Sequence, residues 1–298
     1  MNEISVPCGI CGQSDSRRLY GRPESSASAT IEARITTDTY DNYGQIVECR
    51  RCGLVFRSPR PPETVVVGAY ADLRDDDYLI EENSRAINAH LSMHFIQRFK
   101  KAGRLLDVGC FTGHLLNAAR LSFDPEGVEP SRWAAGVARE RMKLSVTEGT
   151  LSDVAAPAAS YDVITMVDVI EHFSDPAAAL RKARALLKPD GLLYLVTPNI
   201  RSLSARLLGR WWWGLRSAHL VYFSPETLTR MLNACGFEVV EMRSYGRLFT
   251  YGYWVSRLKN YPGWIYRAAA AVVRRLGVSE KVAYVNTFDS IELAARSA

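Results

Sequence analysis

Long apolar runs, a leader-like start and histidine are what this chain has least of. No stretch approaches the roughly 20 uncharged apolar residues that a membrane-spanning helix needs. The opening MNEISVPCGICG lacks the basic and apolar blocks of a secretory signal, so a cytoplasmic protein is expected, not a secreted, disulfide-stapled one. Histidine occurs five times, which keeps the candidate general bases few. No internal repeat is evident, and 47% hydrophobic with 23% charged residues excludes a collagen-like or disordered chain. Acids fall short of bases by a net charge of +5, which permits an anionic partner without demanding one.

What is present begins with cysteine. Four of the six form C-x-x-C pairs, Cys8/Cys11 and Cys49/Cys52, while Cys110 and Cys235 stand alone. Two such pairs can clasp one ion in a tetrahedral, all-cysteine zinc site. Four thiolates leave no open coordination position, so the expected role is structural. The gap between the pairs is longer than in the common zinc ribbon and has to be a hairpin or loop. It holds the Ser/Ala/Pro-rich run 22–30 and then an alternating strand from Tyr43 to Glu48. ECRRCGLVFRSP reads as strand-turn-strand, ended by Pro59, Pro61 and Pro62. A zinc-binding segment over 1–62 follows. An Asp- and Tyr-rich linker then leads to a helix from about Ser84 to Lys101, with Ile87, Leu91, Phe95 and Phe99 at a four-residue stride; 63–101 is read as linker and helix.

From Arg104 strands alternate with helices. Strands are expected at 104–108, 125–128, 144–146, 161–167 and 192–197, with helices near 114–120, 131–141 and 175–187. That alternation argues for a parallel sheet covered on both faces, with Pro125 at the start of its strand. Ser224-Pro225-Glu226 opens a further helix that stops at Gly236, and strands at 237–243 and 289–295 close the chain.

The most informative segment is LLDVGCFTGHLL, residues 105–116. An apolar strand ends at Asp107, and Gly109 and Gly113 flank a tight turn into a helix, where backbone can approach a ligand closely. Asp107 suits a cationic ligand group. One strand later Glu129 stands where a carboxylate can accept both hydroxyls of a ribose. DVGCFTG, then GVEPS, YDVITMVDVIEHFSDP and LLKPDGLLYLVTPN, resembles the class I S-adenosylmethionine (SAM) methyltransferases over roughly residues 100–245. With the N-terminal cysteines and HLVYFSPETLTRMLNACGF, the resemblance extends to a subgroup with a zinc-binding N-terminal segment, known from sugar, polysaccharide and natural-product biosynthesis. It implies a Rossmann-like α/β fold with a seven-stranded sheet, the last strand inserted antiparallel, over 102–298. By the same resemblance Asp107, Gly109, Cys110 and Gly113 surround the methionine part of SAM and Glu129 holds the ribose. Thr150 and Leu151 flank the adenine, and Val167 and Asp168 line the pocket. The family usually has glycine where Phe111 stands; phenylalanine fits there if its φ is negative and its ring points away.

Methyl transfer to oxygen, nitrogen or carbon needs an aligned acceptor and sometimes a base. His172, just past a strand's carboxyl end, and His219, in a substrate-side insertion, are the candidates, with Tyr222 as accessory. His90 and His94 read as structural, and His114 as a solvated helix start. The region 199–275 holds five of the six tryptophans and an excess of arginine, and 199–223 and 246–286 read as substrate-side insertions. Aromatics mixed with arginine suit a lid over a sugar or nucleotide diphosphate, peripheral contact with an anionic membrane at its inner face, or a homodimer surface. A small-molecule acceptor is expected, most simply a sugar, glycosylated or lipid-linked intermediate. Two other readings are a nucleic-acid-binding zinc protein and a scaffold that has lost the cofactor. The acids mixed into the N-terminal region speak against the first, and only Phe111 speaks for the second.

Overall fold

The structure, a computed structural model, describes residues 3–21, 31–36 and 43–297; the Ser/Ala/Pro-rich run 22–30 lies outside them. The chain opens with β1 (Ser16–Tyr20), β2 (Ile46–Cys49) and β3 (Val55–Arg57), then α1 (Glu63–Ala71) and α2 (Glu82–Ile96). The alternating unit follows as β4 (Gly103–Val108), α3 (His114–Ala119), β5 (Phe123–Glu129), α4 (Arg132–Met142), β6 (Ser145–Glu148), β7 (Tyr161–Val167), α5 (Pro176–Leu186) and β8 (Leu187–Pro198). Next come α6 (Leu203–Leu208), β9 (Val221–Tyr222), α7 (Pro225–Ala234) and β10 (Phe237–Ser244). The chain closes with β11 (Arg247–Thr250), α8 (Tyr251–Ser256), α9 (Gly263–Leu276), β12 (Val282–Val285) and β13 (Ser290–Ser297).

Seven strands form one sheet in the order β10-β13-β8-β7-β4-β5-β6, with β13 antiparallel to both neighbours and the other pairings parallel. This is the Rossmann-like methyltransferase sheet expected from the sequence. Successive strand residues point to opposite faces. Leu106, Ile164, Leu193 and Leu195 pack against Leu180 and Ala183 of α5 and Leu228 and Leu232 of α7. Leu105, Val163 and Tyr194 pack against α2, α3 and α4 on the other face. Strand order reverses at β4, flanked by β7 on one side and β5 on the other, so the crevice at its carboxyl end is where such sheets bind ligands.

Three expectations change. Pro125 is the third residue of β5 and pairs with Leu105 inside the strand. Pairing with β6 starts only at Glu126, so the missing N–H falls where no partner strand needs it. The "linker" folds as α1 and a 3-10 turn over Asp76–Glu81, and it covers the glycine turn. In α2 only half of the predicted apolar stripe faces inward: Phe95 is fully buried and Phe99 packs beside it, but Ile87 and Leu91 are 40% and 39% exposed, while Arg85, Asn88, Ala89, Ser92 and Met93 are buried. A four-residue stride drifts about 40° per step, so 87 and 95 cannot share one face closely. Asn88 donates to the Leu248 carbonyl (2.8 Å) and accepts from its N–H (2.8 Å), and Ser92 meets the Tyr245 hydroxyl (3.2 Å). Arg85 donates through Nε to the Tyr78 carbonyl (3.0 Å), while its Nη2 has no hydrogen-bond partner among the described residues. His90 and His94 are exposed on the outer side of this helix.

The N-terminal strands join β9 in a second sheet, β1-β2-β3-β9. A third apolar cluster, with Ile46, Val55, Leu215 and Tyr222 around the fully buried Trp212, ties segment 1–62 to the insertion 199–223.

Candidate active site and metal centre

The glycine turn places its polar groups at the carboxyl end of β4. Asp107 is buried and accepts from the Thr165 hydroxyl (2.6 Å). Gly109 and Gly113 have φ of 69° and 87°, and a Cβ at Gly113 would lie 2.4 Å from Leu144 Cδ1. Gly113 thus sets the turn and begins α3, but it does not line the cavity. Glu129, at the end of β5, accepts from the Phe111 N–H (2.9 Å) through one oxygen and the Ser131 N–H (2.8 Å) through the other. Burial pushes both Asp107 and Glu129 up to about 7. His114, expected to be solvated, is buried, faces the same space, and is pushed down to about 4 by burial.

Phe111 does not meet the expectation of negative φ: its φ is 47°. The ring nevertheless has a place, edge-on to Tyr78 (centroids 4.4 Å) and to Trp133 (5.8 Å). The left-handed backbone costs about 1–2 kcal/mol and is offset by the N–H donated to Glu129 and by the buried ring.

A cavity of about 1410 Å³ runs from this turn across the carboxyl ends of the central strands, larger than a single small-ligand pocket. Asp107, Gly109, Cys110, Glu129, Thr150 and Leu151 all line it. So do Val167 and Asp168. Thr150 caps a short 3-10 turn by accepting and donating with Asp153, which turns Leu151 inward. Asp168 is held by Arg247 of β11, whose Nη2 donates to both carboxylate oxygens (2.8 and 2.7 Å).

His172 and His219 meet in this cavity with ring centroids 4.7 Å apart. His172 Nδ1 lies 2.9 Å from the Ala218 carbonyl and 2.6 Å from the Tyr70 hydroxyl; His219 Nδ1 lies 2.8 Å from the Gly214 carbonyl. Carbonyls only accept, so Nδ1 carries the proton in each ring and Nε2 is the basic nitrogen. Burial lowers His172 to about 4 and His219 well below its ordinary range, the latter aided by His172. Both are neutral at pH 7. Glu171 is buried beside them, accepts from the Thr197 hydroxyl (2.9 Å), leaves its other oxygen unpartnered, and is pushed up to about 8 by burial and then by Asp168. Glu171, His172 and His219 offer ligand atoms within 4.8 Å of one another, a set that can hold a cation. Tyr222 is corrected from accessory to packing residue. Its ring is buried in the Trp212 cluster, its hydroxyl donates to the Arg216 carbonyl (3.3 Å), and it does not line the cavity.

Sequence reasoning missed Tyr70, Tyr78 and Arg247. The two tyrosines fell in the supposed linker, and nothing local marks Arg247 as the partner of Asp168, 79 residues away.

The four paired cysteines converge. Cys8 and Cys52 Sγ are 3.3 Å apart, Cys11 and Cys49 Sγ 3.5 Å, and all four lie within 4.8 Å of one another. Each pair is a knuckle closed by a glycine N–H, Gly12 to the Cys8 carbonyl and Gly53 to the Cys49 carbonyl, both 2.9 Å. Four zinc thiolates stand about 3.8 Å apart for Zn–S bonds of about 2.3 Å, so the set fits.

Residues 79–242 match the family model described as a methyltransferase domain. The ubiquinone biosynthesis O-methyltransferase of Azorhizobium caulinodans is 28% identical over 155 residues, 48% of this chain and 61% of that protein. The protein of the same name from Cereibacter sphaeroides is 32% identical over 153 residues, 47% of this chain and 62% of its own length. The matched stretch thus spans about three-fifths of those relatives. Among solved structures, a SAM-dependent methyltransferase from Archaeoglobus fulgidus superposes with TM-score 0.52 at 18% identity, over 75% of this chain and 100% of that one. One from Thermotoga maritima gives 0.51 at 19% identity, over 75% and 94%. At those identities the likeness is one of fold. Because the family match covers more than half the chain and takes in the glycine turn, Glu129 and both cavity histidines, this protein belongs to the methyltransferase domain family.

Proposed function

We propose that the chain is a SAM-dependent O-methyltransferase acting on a ring-bearing small molecule, glycosylated or lipid-linked, with the His172–His219 pair taking up the acceptor proton. One observation carries this reading. Two imidazoles, the half-buried His172 and the buried His219, both neutral at pH 7, share a cavity with two carboxylates, Asp107 and Glu129, that have no ion-pair partner among the described residues. Carboxylates pushed up to about 7 by burial suit a ligand that brings a cation and hydroxyl donors. SAM has both, and when bound it supplies the methyl group on a sulfonium. Glu129 keeps lone pairs for ribose hydroxyls after serving Phe111 and Ser131, Asp107 faces the cationic portion, and Thr150 and Leu151 flank the base. His219 Nε2 accepts a hydroxyl proton, while the Gly214 carbonyl fixes its tautomer.

Oxygen is favoured as the acceptor atom by the name shared by the two bacterial relatives. A ring in the acceptor is favoured by the aromatic wall of Tyr78, Tyr245, Phe249, Tyr253 and Trp254. The test is calorimetric titration with S-adenosylhomocysteine, followed by methyl transfer to phenolic and glycosylated lipid acceptors. Micromolar binding is expected; no binding by folded protein overturns the reading.

The four cysteines are proposed to hold a structural zinc ion, supported by their spacing and thiol chemistry. One equivalent of zinc in the purified protein is the expected result.

A further inference from the structure

We infer that α9 is an interfacial helix that rests the protein on an anionic lipid bilayer beside the cavity mouth. None of its 14 residues is buried. Trp264, Val272 and Leu276 are 66%, 56% and 67% exposed, and with the exposed Ala268 they form one line at a four-residue spacing. At 3.6 residues per turn this line occupies an arc of about 120°. Arg267 and Arg274 project along one edge of that arc, and Arg275 lies within it at the helix end, where a long stem can carry its charge back to the headgroups. The side turned toward the protein carries Tyr266, Ala269, Ala270 and Val273, all half-buried.

Charge selects the occupant. Between Glu241 and Glu280 there is no acidic residue, while Arg267, Arg274 and Arg275 of α9 fall there; Arg243 and Arg247 of the same stretch are taken up by Glu292 and Asp168. A second copy docked face to face would bring the α9 arginines of both copies together with no acid in that segment to meet them. A nucleic acid leaves Val272 and Leu276 without a partner. A bilayer bearing anionic headgroups satisfies both halves of the helix, since apolar burial and cation attraction act together and each cation near the surface contributes roughly fivefold in affinity. The exposed line continues onto a neighbouring segment. Leu203, Leu207 and Trp211 are exposed at the same spacing, and the Tyr261 hydroxyl, two residues before α9, donates to the Trp211 carbonyl (3.2 Å). No described helix is long and apolar enough to cross the bilayer, so the contact is peripheral.

Arg257, Leu258 and Tyr261 line the cavity immediately before α9. A lipid-linked acceptor therefore enters from the bilayer next to the catalytic cavity, a consequence that rests on the proposed methyltransferase reading. The docking surface itself does not.

The experiment is co-sedimentation of the full chain with vesicles of three parts phosphatidylcholine to one part phosphatidylglycerol, and with pure phosphatidylcholine vesicles. Binding to the mixed vesicles is expected, weakened by salt. Trp264→Glu with Val272→Glu should reduce it by roughly tenfold or more while leaving S-adenosylhomocysteine affinity unchanged. If that pair of changes disturbs folding, Arg267→Gln with Arg274→Gln serves instead and should abolish most of the preference for the anionic vesicles. Wild-type protein that stays in the supernatant overturns the inference, as does a variant that pellets like wild type. A wild-type dimer in lipid-free solution that becomes monomeric on Trp264→Glu also overturns it. Vesicle binding without S-adenosylhomocysteine binding would sink the proposed activity alone; the reverse would sink the docking surface alone.

Discussion

At Phe111 two magnitudes decide an outcome that sequence could only pose. The left-handed φ costs about 1–2 kcal/mol, and Phe111→Gly would recover it. The same change removes a nearly buried ring wedged against Tyr78 and Trp133, a loss of about 3 kcal/mol or more. Phe111→Gly should therefore lower the melting temperature, and a rise would show that backbone strain dominates. Glu129→Ala should weaken S-adenosylhomocysteine binding at least tenfold, about 1.4 kcal/mol, in a protein that still melts cooperatively. Calorimetry with unchanged affinity would remove Glu129 from the ribose site. His219→Gln should lower kcat by about 10²–10⁴ with cofactor affinity intact, as expected for loss of a general base. Because burial takes His172 down to about 4 and His219 well below its ordinary range, kcat at saturating cofactor should hold level as pH falls through the ordinary histidine range. A profile that bends near 6.5 would contradict this.

Elements explain why polar residues could be mistaken for surface. On α2 the buried Asn88 hydrogen-bonds both backbone groups of Leu248 and so staples β11, the strand that carries Arg247 to Asp168. Apolar periodicity reads such a helix poorly, because its inward face mixes hydrogen-bonded Asn88 and Ser92 with the apolar Ala89, Met93, Phe95 and Ile96. Asn88→Ala should destabilise by about 2–4 kcal/mol, leaving two backbone groups unpartnered, and urea denaturation would measure it. The cysteine knuckles behave oppositely, since spacing alone marked them. Cys49→Ser should release metal and loosen β1-β2-β3-β9, visible as metal content and as faster proteolysis of the N-terminal segment. Metal content of zero in both wild type and variant would refute the zinc site. The segment read as a linker is a third case: α1 has no strong apolar stripe, and Tyr70 and Tyr78 acquire their roles only against His172 and Phe111.

Over the whole molecule, the cost of burying unpaired ionisable groups sets a pH dependence with two opposing parts. His172 and His219 are lowered in the folded state, so their contribution to stability is full above about 6.5 and lost as pH falls toward 4. Glu171, Asp107 and Glu129 are raised, so theirs is full below the ordinary carboxyl range and lost as pH rises through about 7 for Asp107 and Glu129 and about 8 for Glu171. Above pH 6.5 only the second part still changes. Ligand-free protein should lose roughly 4 °C in melting temperature between pH 6.5 and 8, read by calorimetry; a flat or rising trend would refute the carboxylate shifts. The strand-helix alternation, the glycine turn, Glu129 after the next strand and the paired cysteines are local patterns, in which neighbours along the chain determine backbone form or ligand spacing, and sequence alone was enough to read them. Tertiary structure decided the rest. The His172–His219 contact joins residues 47 apart, Arg247 reaches Asp168 across 79, and Tyr222 turns into a core instead of the cavity. These outcomes depend on which faces the folded sheet brings together, and no local periodicity encodes that.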